Sequence, residues 1–204
     1  MSNLRPFRSY SEHDVLNMFA FDGAPDANGV IADQGTVVKI ADNNGAQLVA
    51  AGSSLPLGRE GVELFDLPAG NTYGNTVSFR SSAVPKVNKA SNATTAIGIT
   101  LLGVRENDEN GEKLLYNPRK AAEMNVVVSG QAVPILTKGI VLYEGLNTTL
   151  LPTTANAGAP VYVSATAGEL TTVDGGSFPV VGKLLGKPVV AANSKPVALM
   201  SLSF

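Results

Sequence analysis

His13 is the only histidine in the chain, and cysteine is absent. A Ser-His-Asp triad needs an imidazole held between a nucleophile and a carboxylate, and a zinc site needs thiolate or imidazole ligands in a closed set. His13 stands in Ser11-Glu12-His13-Asp14, near the start of the chain, so either device would have to be assembled around a terminal segment. It reads as a structural or solvated residue. Without thiols there is no disulfide framework and no Cys nucleophile. Glu106, Asp108, Glu109 and Glu112, around Asn110-Gly111, superficially resemble a calcium loop. They lack its twelve-residue spacing and closing bidentate Glu, and read as a solvated hairpin tip.

The run from Gly176 to Lys183 invites comparison with a phosphate loop. Five residues separate Gly176 from Gly182 where that loop has four, and Leu184 stands where Ser or Thr is needed. Pro179 and its β-type neighbours indicate a strand instead. Asp14, Asp22, Asp26 and Asp33 show no partner pattern, although paired-carboxylate catalysis needs only proximity in space. Asn92-Ala93-Thr94 and Asn147-Thr148-Thr149 match the glycosylation sequon; with no secretory signal they read as products of an Asn/Thr-rich composition. Tyr73, Phe79, Tyr116 and Tyr143 are too dispersed for a stacking platform. No catalytic residue, metal or cofactor is expected, and the chain does not read as an enzyme.

Fifteen basic and 17 acidic residues give a net charge of −2, so nothing favours nucleic acid, whose phosphates call for clustered Lys and Arg. Charged residues are 16% of the chain, against roughly a quarter in average soluble proteins; the surface must therefore be rich in Ser, Thr, Asn, Gly and small apolar side chains. Such a surface suits lasting protein contact. The N-terminus carries Arg5 and Arg8, but Ser9, Ser11, Glu12, His13 and Asp14 interrupt any apolar region after them. No run approaches the roughly 18 consecutive apolar residues of a membrane span, and no membrane partner is expected.

The elements that would position any site are short β runs. In the last third, Ala159 to Ser164, Gly168 to Thr172, Phe178 to Leu185 and Pro196 to Leu202 are cut by Gly and Pro every eight to twelve residues, the rhythm of a small closed sheet. Upstream, Thr36 to Ala41 and Ala46 to Ala50 flank Asp42-Asn43-Asn44-Gly45 as a hairpin. Residues 52–75 form a long Gly/Pro/Ser-rich connection, of the kind that often binds. Thr76 to Arg80 alternates with period two. Thr95 to Arg105 is a longer buried run with glycines where a bend fits; its Ala96 to Gly103 part echoes Val180 to Gly186, as in a pseudo-repeated barrel. The acidic tip turns the chain into Lys113 to Tyr116 as a second hairpin. Asn117 to Met124 reads as one or two helical turns, with Asn as cap and Pro at the first position, or as a crossover loop. Asn125 to Val128, Ala132 to Leu136 and Ile140 to Tyr143 follow as strands, and many of the 23 valines fall at such positions.

Residues 1–34 differ. They hold four of the twelve aromatic residues, and Ser11-Glu12-His13-Asp14 is a capping-box-like start to a short helix in which Val15, Leu16, Met18 and Phe19 share a face before Gly23-Ala24-Pro25. The segment reads either as an arm carrying apolar anchors or as an N-terminal helix packed on its own domain. The expected architecture is therefore all-β: a small barrel or sandwich over residues 35–204, short helical turns, and an N-terminal arm over 1–34.

Val128 to Leu136, Ala157 to Thr171 and Val181 to Leu185 resemble the tailed-bacteriophage capsid decoration, or cement, proteins, small β-barrels with a Gly-x-Pro-Val-Tyr-Val, Gly-x-Leu-Thr, Val-Gly-Lys style of sequence. The resemblance covers about residues 94–204. It implies a non-enzymatic protein on the outer surface of the virion capsid, assembled in the host cytoplasm, often a homotrimer, with the major capsid protein as partner. On that reading Leu4, Phe7, Tyr10, Leu16, Phe19 and Phe21 are interface anchors on a capsid or sister subunit, since aromatic side chains dominate interface energetics. The alternative is a β-barrel adhesin or carbohydrate-binding module on a phage head or tail, using the 52–75 connection for recognition.

Overall fold

The computed structural model describes residues 3–6, 10–41, 86–91, 95–176 and 178–204. The expected turn at Asp42 to Gly45, the strand after it, the 52–75 connection, Thr76 to Arg80, the sequon at Asn92 and the anchor Phe7 lie outside the described residues. In chain order the strands are β1 (Asn3–Pro6), β2 (Val15–Phe21), β3 (Val30–Ala32), β4 (Val37–Ile40), β5 (Lys86–Lys89), β6 (Gly98–Thr100), β7 (Gly103–Arg105) and β8 (Val126–Val128). They continue as β9 (Ala132–Leu136), β10 (Lys138–Glu144), β11 (Pro160–Val163), β12 (Leu170–Thr171), β13 (Val180–Leu184), β14 (Val189–Val190) and β15 (Pro196–Ser203).

The fold is all-β, as the spacing of turn residues predicts. Strands β2, β5, β4, β6 and β9 close into a barrel; β1, β10, β15, β13, β11 and β12 form a larger sheet in that order, with β14 also on β15; β3, β7 and β8 form a third sheet. In β15, Pro196, Ala198, Met200 and Leu202 are buried while Val197, Leu199 and Ser201 are partly covered, the period-two signature of a strand with one core face. Barrel strands β4 and β9 are covered on both faces. Val37 and Leu136 join a core that includes Leu4, Tyr143, Met200 and Leu202 of the large sheet, whereas their neighbours Val38 and Ile135 join a second core with Phe19, Phe21 and Val104. Gly168 links the layers: its carbonyl accepts from the Val37 N–H, and its N–H donates to the Ala90 carbonyl, at 2.9 and 2.7 Å.

The N-terminal segment departs from the expected arm and helix. Ser11 does cap, its Oγ accepting from the His13 N–H at 3.3 Å, but the helical geometry lasts only one 3-10 turn, Glu12–Asp14. The chain then enters β2, which pairs antiparallel with β9 through Val15–Leu136, Leu16–Ile135 and Phe19–Val133, with a bulge after Leu16. Local capping satisfies one turn, whereas β9 and β5 together pair with the run from Val15 to Phe21 around a bulge and bury Phe19, Ala20 and Phe21; tertiary pairing overrides local preference. Strand β1 pairs with β10 and β3 with β7, so the described part of residues 1–34 is woven into all three sheets.

Two other expectations are modified. The run Thr95 to Arg105 bends at Leu101-Leu102, so that β6 stays in the barrel and β7 enters the third sheet. The echoing segments β6 and β13 lie in different sheets rather than in one barrel. What they share is a glycine facing a neighbouring carbonyl: a Cβ on Gly98 would stand 2.5 Å from the Leu136 oxygen, and Gly182 meets the Ser201 oxygen in the same way. The helical reading of 117–124 holds. Helix α1 (Pro118–Glu123) begins with Pro, and the Asn117 side chain accepts from the Lys120 N–H at 3.3 Å. Leu114–Tyr116 is a 3-10 turn rather than a returning strand, reached through a single bridge between Asn107 and Lys113.

Candidate interaction surface

Asp108, Glu144 and Glu169 are bonded within the chain. His13 is exposed on its turn, and among the described residues no cluster of three or more His, Asp or Glu is arranged to hold a metal. Among the described residues, four charged side chains are buried: Lys86, Asp108, Glu144 and Glu169. The Tyr143 hydroxyl donates to Glu169 Oε2 at 2.7 Å and itself accepts from the Leu170 N–H at 3.2 Å. Glu144 Oε1 accepts from Asn193 Nδ2 at 2.9 Å and lies 3.5 Å from Lys195 Nζ. Burial pushes the Lys86 ammonium below its usual pKa, against the opposing pull of the Asp22 carboxylate.

The tip is solvated at Glu109, Asn110, Gly111 and Glu112, as expected, but Asp108 is buried. Its Oδ1 accepts from the N–H groups of Asn110 and Glu112, each at 2.8 Å, and its Oδ2 lies 2.8 Å from Lys120 Nζ. The hydrogen bond from Lys120 holds the carboxyl below the usual range and raises the lysine in return. The same loop occurs at Asp26-Ala27-Asn28-Gly29: Asp26 Oδ1 accepts from Asn28 and Val30, and Gly29, like Gly111, has positive φ, which glycine adopts without strain. These Asp-x-Asn-Gly loops flank an open cavity of about 350 Å³, lined by Asn28, Val30, Arg105, Asn107 and Asp108 among others. Of the charged residues in that lining, Asp108 is committed to its own turn and to Lys120, and Arg105 and Glu109 are the others.

The expected anchors hold this chain's own core. Leu4 lies in the large core, Phe19 and Phe21 lie in the second, and Leu16 packs against the second while half-buried. Tyr10 is also half-buried, its hydroxyl donating to the Ile140 carbonyl at 2.9 Å.

The exposed apolar surface lies elsewhere. At one end of the large sheet, Val189 is 62% exposed, Val190 50%, Leu185 46% and Leu146 36%. Their proximity follows from pairing. Strand β14 runs against Val197 and Pro196 of β15, the Leu185 N–H donates to the Leu199 carbonyl, and the Gly145 N–H, next to Leu146, donates to the Pro196 carbonyl. Other exposed apolar side chains belong to other places: Met18 in β2, Ile40 in β4, Tyr116 before α1, Val173 after β12, and Val180 at the far end of β13. Lys183 and Lys187 stand exposed beside the cluster. All 17 acidic residues of the chain lie at or before Asp174, and Glu144, opposite Val197 of β15, is buried against Lys195. The surface is apolar with a cationic rim.

Its sequence signal is weak but present: three lysines, no acid and the dipeptide Val189-Val190 within the last thirty residues. No protein-family model matches the chain, and neither does any curated protein or solved structure.

Proposed function

We propose that this chain is a capsid decoration protein of a tailed bacteriophage, a non-enzymatic homotrimer that binds the major capsid protein on the outer surface of the head. The observation that carries the reading is the cation-rimmed end of the large sheet, where Leu146, Leu185, Val189 and Val190 are exposed among the described residues, the two valines on opposite faces. Large apolar side chains exposed together at one sheet edge, with polar neighbours, mark a protein-binding surface. Fully burying such side chains contributes roughly 1.5–3 kcal/mol each, before the costs of association. A modest interface suffices on a lattice, where many copies and several contacts per assembly multiply weak affinity. The decoration-like stretches Ala157 to Thr171 and Val181 to Leu185 fall on β11, β12 and β13, in the same sheet.

The test is occupancy of the virion. Purified particles should contain the protein in stoichiometry comparable to the major capsid protein, and its removal should leave the shell closed but less resistant to heat or internal pressure. Absence from purified particles would overturn the proposal, as would a shell that opens as soon as the protein is withdrawn.

A further inference from the structure

We infer that the outer edge of β14 accepts an extended, acidic segment of a partner protein as an added β-strand. The inference rests on the docking surface proposed above and names what docks there.

Successive residues of a strand face opposite sides of a sheet, so a strand packed on any core hides one of each pair. Val189 and Val190 are both half or more exposed; β14 therefore rests on no core and is held through its edge to β15. Its other edge is open, since among the described residues β14 pairs only with β15. The direction of the backbone groups follows from the ladder. In an antiparallel pair, alternate residues turn both N–H and C=O toward the partner and then away from it. The Ala191 N–H donates to the Lys195 carbonyl at 2.8 Å, which makes 191 and 195 the hydrogen-bonded pair. Val190, opposite Pro196, therefore turns its N–H and C=O outward. The Pro196 carbonyl agrees with this register, because it accepts from Gly145 on the far side of β15. An open donor and acceptor between two exposed valines is the arrangement used in strand addition, where the backbone supplies affinity and alternate side chains supply selectivity.

Charge selects the occupant. Lys183 and Lys187 have no ion pair among the described residues, and no acid follows Asp174 in the chain. A second copy pairing β14 to β14 would bring these lysines together, and lysine beside an edge is a common guard against such self-pairing. An acidic strand from a different protein meets the opposite condition.

The test uses the full chain, isotope-labelled, with the blocked heptapeptide Asp-Val-Thr-Val-Thr-Val-Glu as probe and the same peptide with Lys at both ends as control. In the free protein the Val190 amide should exchange with water at the rate of an open amide. Millimolar acidic peptide should slow it at least tenfold, and the Lys-ended peptide should bind at least threefold more weakly. Val190→Pro removes only an outward N–H, which edge strands tolerate, and should abolish the protection of neighbouring amides by the peptide while leaving the spectrum of the core unchanged. Val190→Thr, which keeps the donor, should bind within threefold of wild type.

A Val190 amide already protected in the free chain would overturn the inference, as would equal binding of both peptides or undiminished binding by Val190→Pro. Concentration-dependent self-association lost in Val190→Pro would also overturn it, because the occupant would then be a second copy. Capsid occupancy separates this inference from the reading it rests on. Heads that bind Val190→Pro as well as wild type leave decoration standing and remove the edge, whereas peptide pairing by a protein absent from heads does the reverse.

Discussion

The dipeptide Val-Val occurs in β4 and again in β14, with opposite outcomes. Val37 and Val38 are both fully buried, while Val189 and Val190 are both largely exposed. The residue types are the same, so intrinsic preference does not separate them. Strand β4 has a neighbour on each edge, β5 and β6, and a core on each face. Among the described residues, strand β14 has one neighbour and no core. Closing the barrel removes edges, which are otherwise templates for further pairing. The large sheet remains open at β14, and the chain offers there the kind of surface it consumes in the barrel. Burial is thus a property of topology rather than of the dipeptide.

The contrast breaks most readily from the closed side. Leu136 fills the wall where β9 meets the large sheet and is fully buried, so Leu136→Ala should lower stability by about 2–5 kcal/mol, the cost of lost transfer energy plus an unfilled cavity. Urea unfolding gives the value; a loss below about 1 kcal/mol would mean that the two layers are not packed through this residue. Tyr143→Phe should follow with a smaller loss. It removes the buried hydroxyl that donates to Glu169 and accepts from Leu170, and a buried polar group left unpaired costs about 1–3 kcal/mol. Tyr143→Phe with wild-type stability would show that the hydroxyl is replaceable.

The parts of this architecture that could be read from the sequence are those whose signals are local. Strands β11 and β15 announce themselves through period-two burial, and Gly158, Gly168 and Gly176, at positive φ, punctuate the chain around β11, β12 and β13. The cap and first proline of α1 are likewise legible, because Asn117 and Pro118 act within four residues. The segment Ser11 to Phe21 is not. Its capping signal is real, but the partner that turns the run into β2 lies on β9, more than a hundred residues away. The burial of the expected anchors is hidden for a related reason: Leu4, Phe19 and Phe21 look alike in a sequence whether they anchor a neighbour or fill a core. Strand β14 shows no periodicity because neither of its two residues is buried.

Ionisable groups extend the comparison, with effects set by pH. Asp108, at the solvent-facing loops, has its folded pKa depressed chiefly by Lys120. Its stabilisation is therefore complete above the unfolded value of about 3.9 and is lost as the pH falls through the folded one. Lys120 is raised, so its contribution is present below about pH 10.4 and disappears in stronger alkali. Lys86, in barrel strand β5, is shifted down by burial, and its sign is opposite: the native state sheds the proton first, so stability rises as the pH climbs toward about 10.4. Urea midpoints measured across pH should lose part of the acid decline in Asp108→Asn and the Lys86 component of the alkaline rise in Lys86→Met. An unchanged profile in either variant would remove that residue from the linkage.

The smallest effect on folding is expected at the open end, and it sharpens the contrast most. Val189→Thr replaces an exposed methyl by a hydroxyl and keeps both the β-branched shape and the backbone. Surface substitutions away from caps and cores usually stay within about 0.5 kcal/mol, so the urea midpoint should scarcely move. The same change at Val37, on a face closed to water, buries a hydroxyl in an apolar core and should cost about 1–3 kcal/mol. Measured side by side, the pair isolates topology from residue type. Equal losses at the two positions would mean that β14 is covered in solution, and the open edge would then be absent from the working protein.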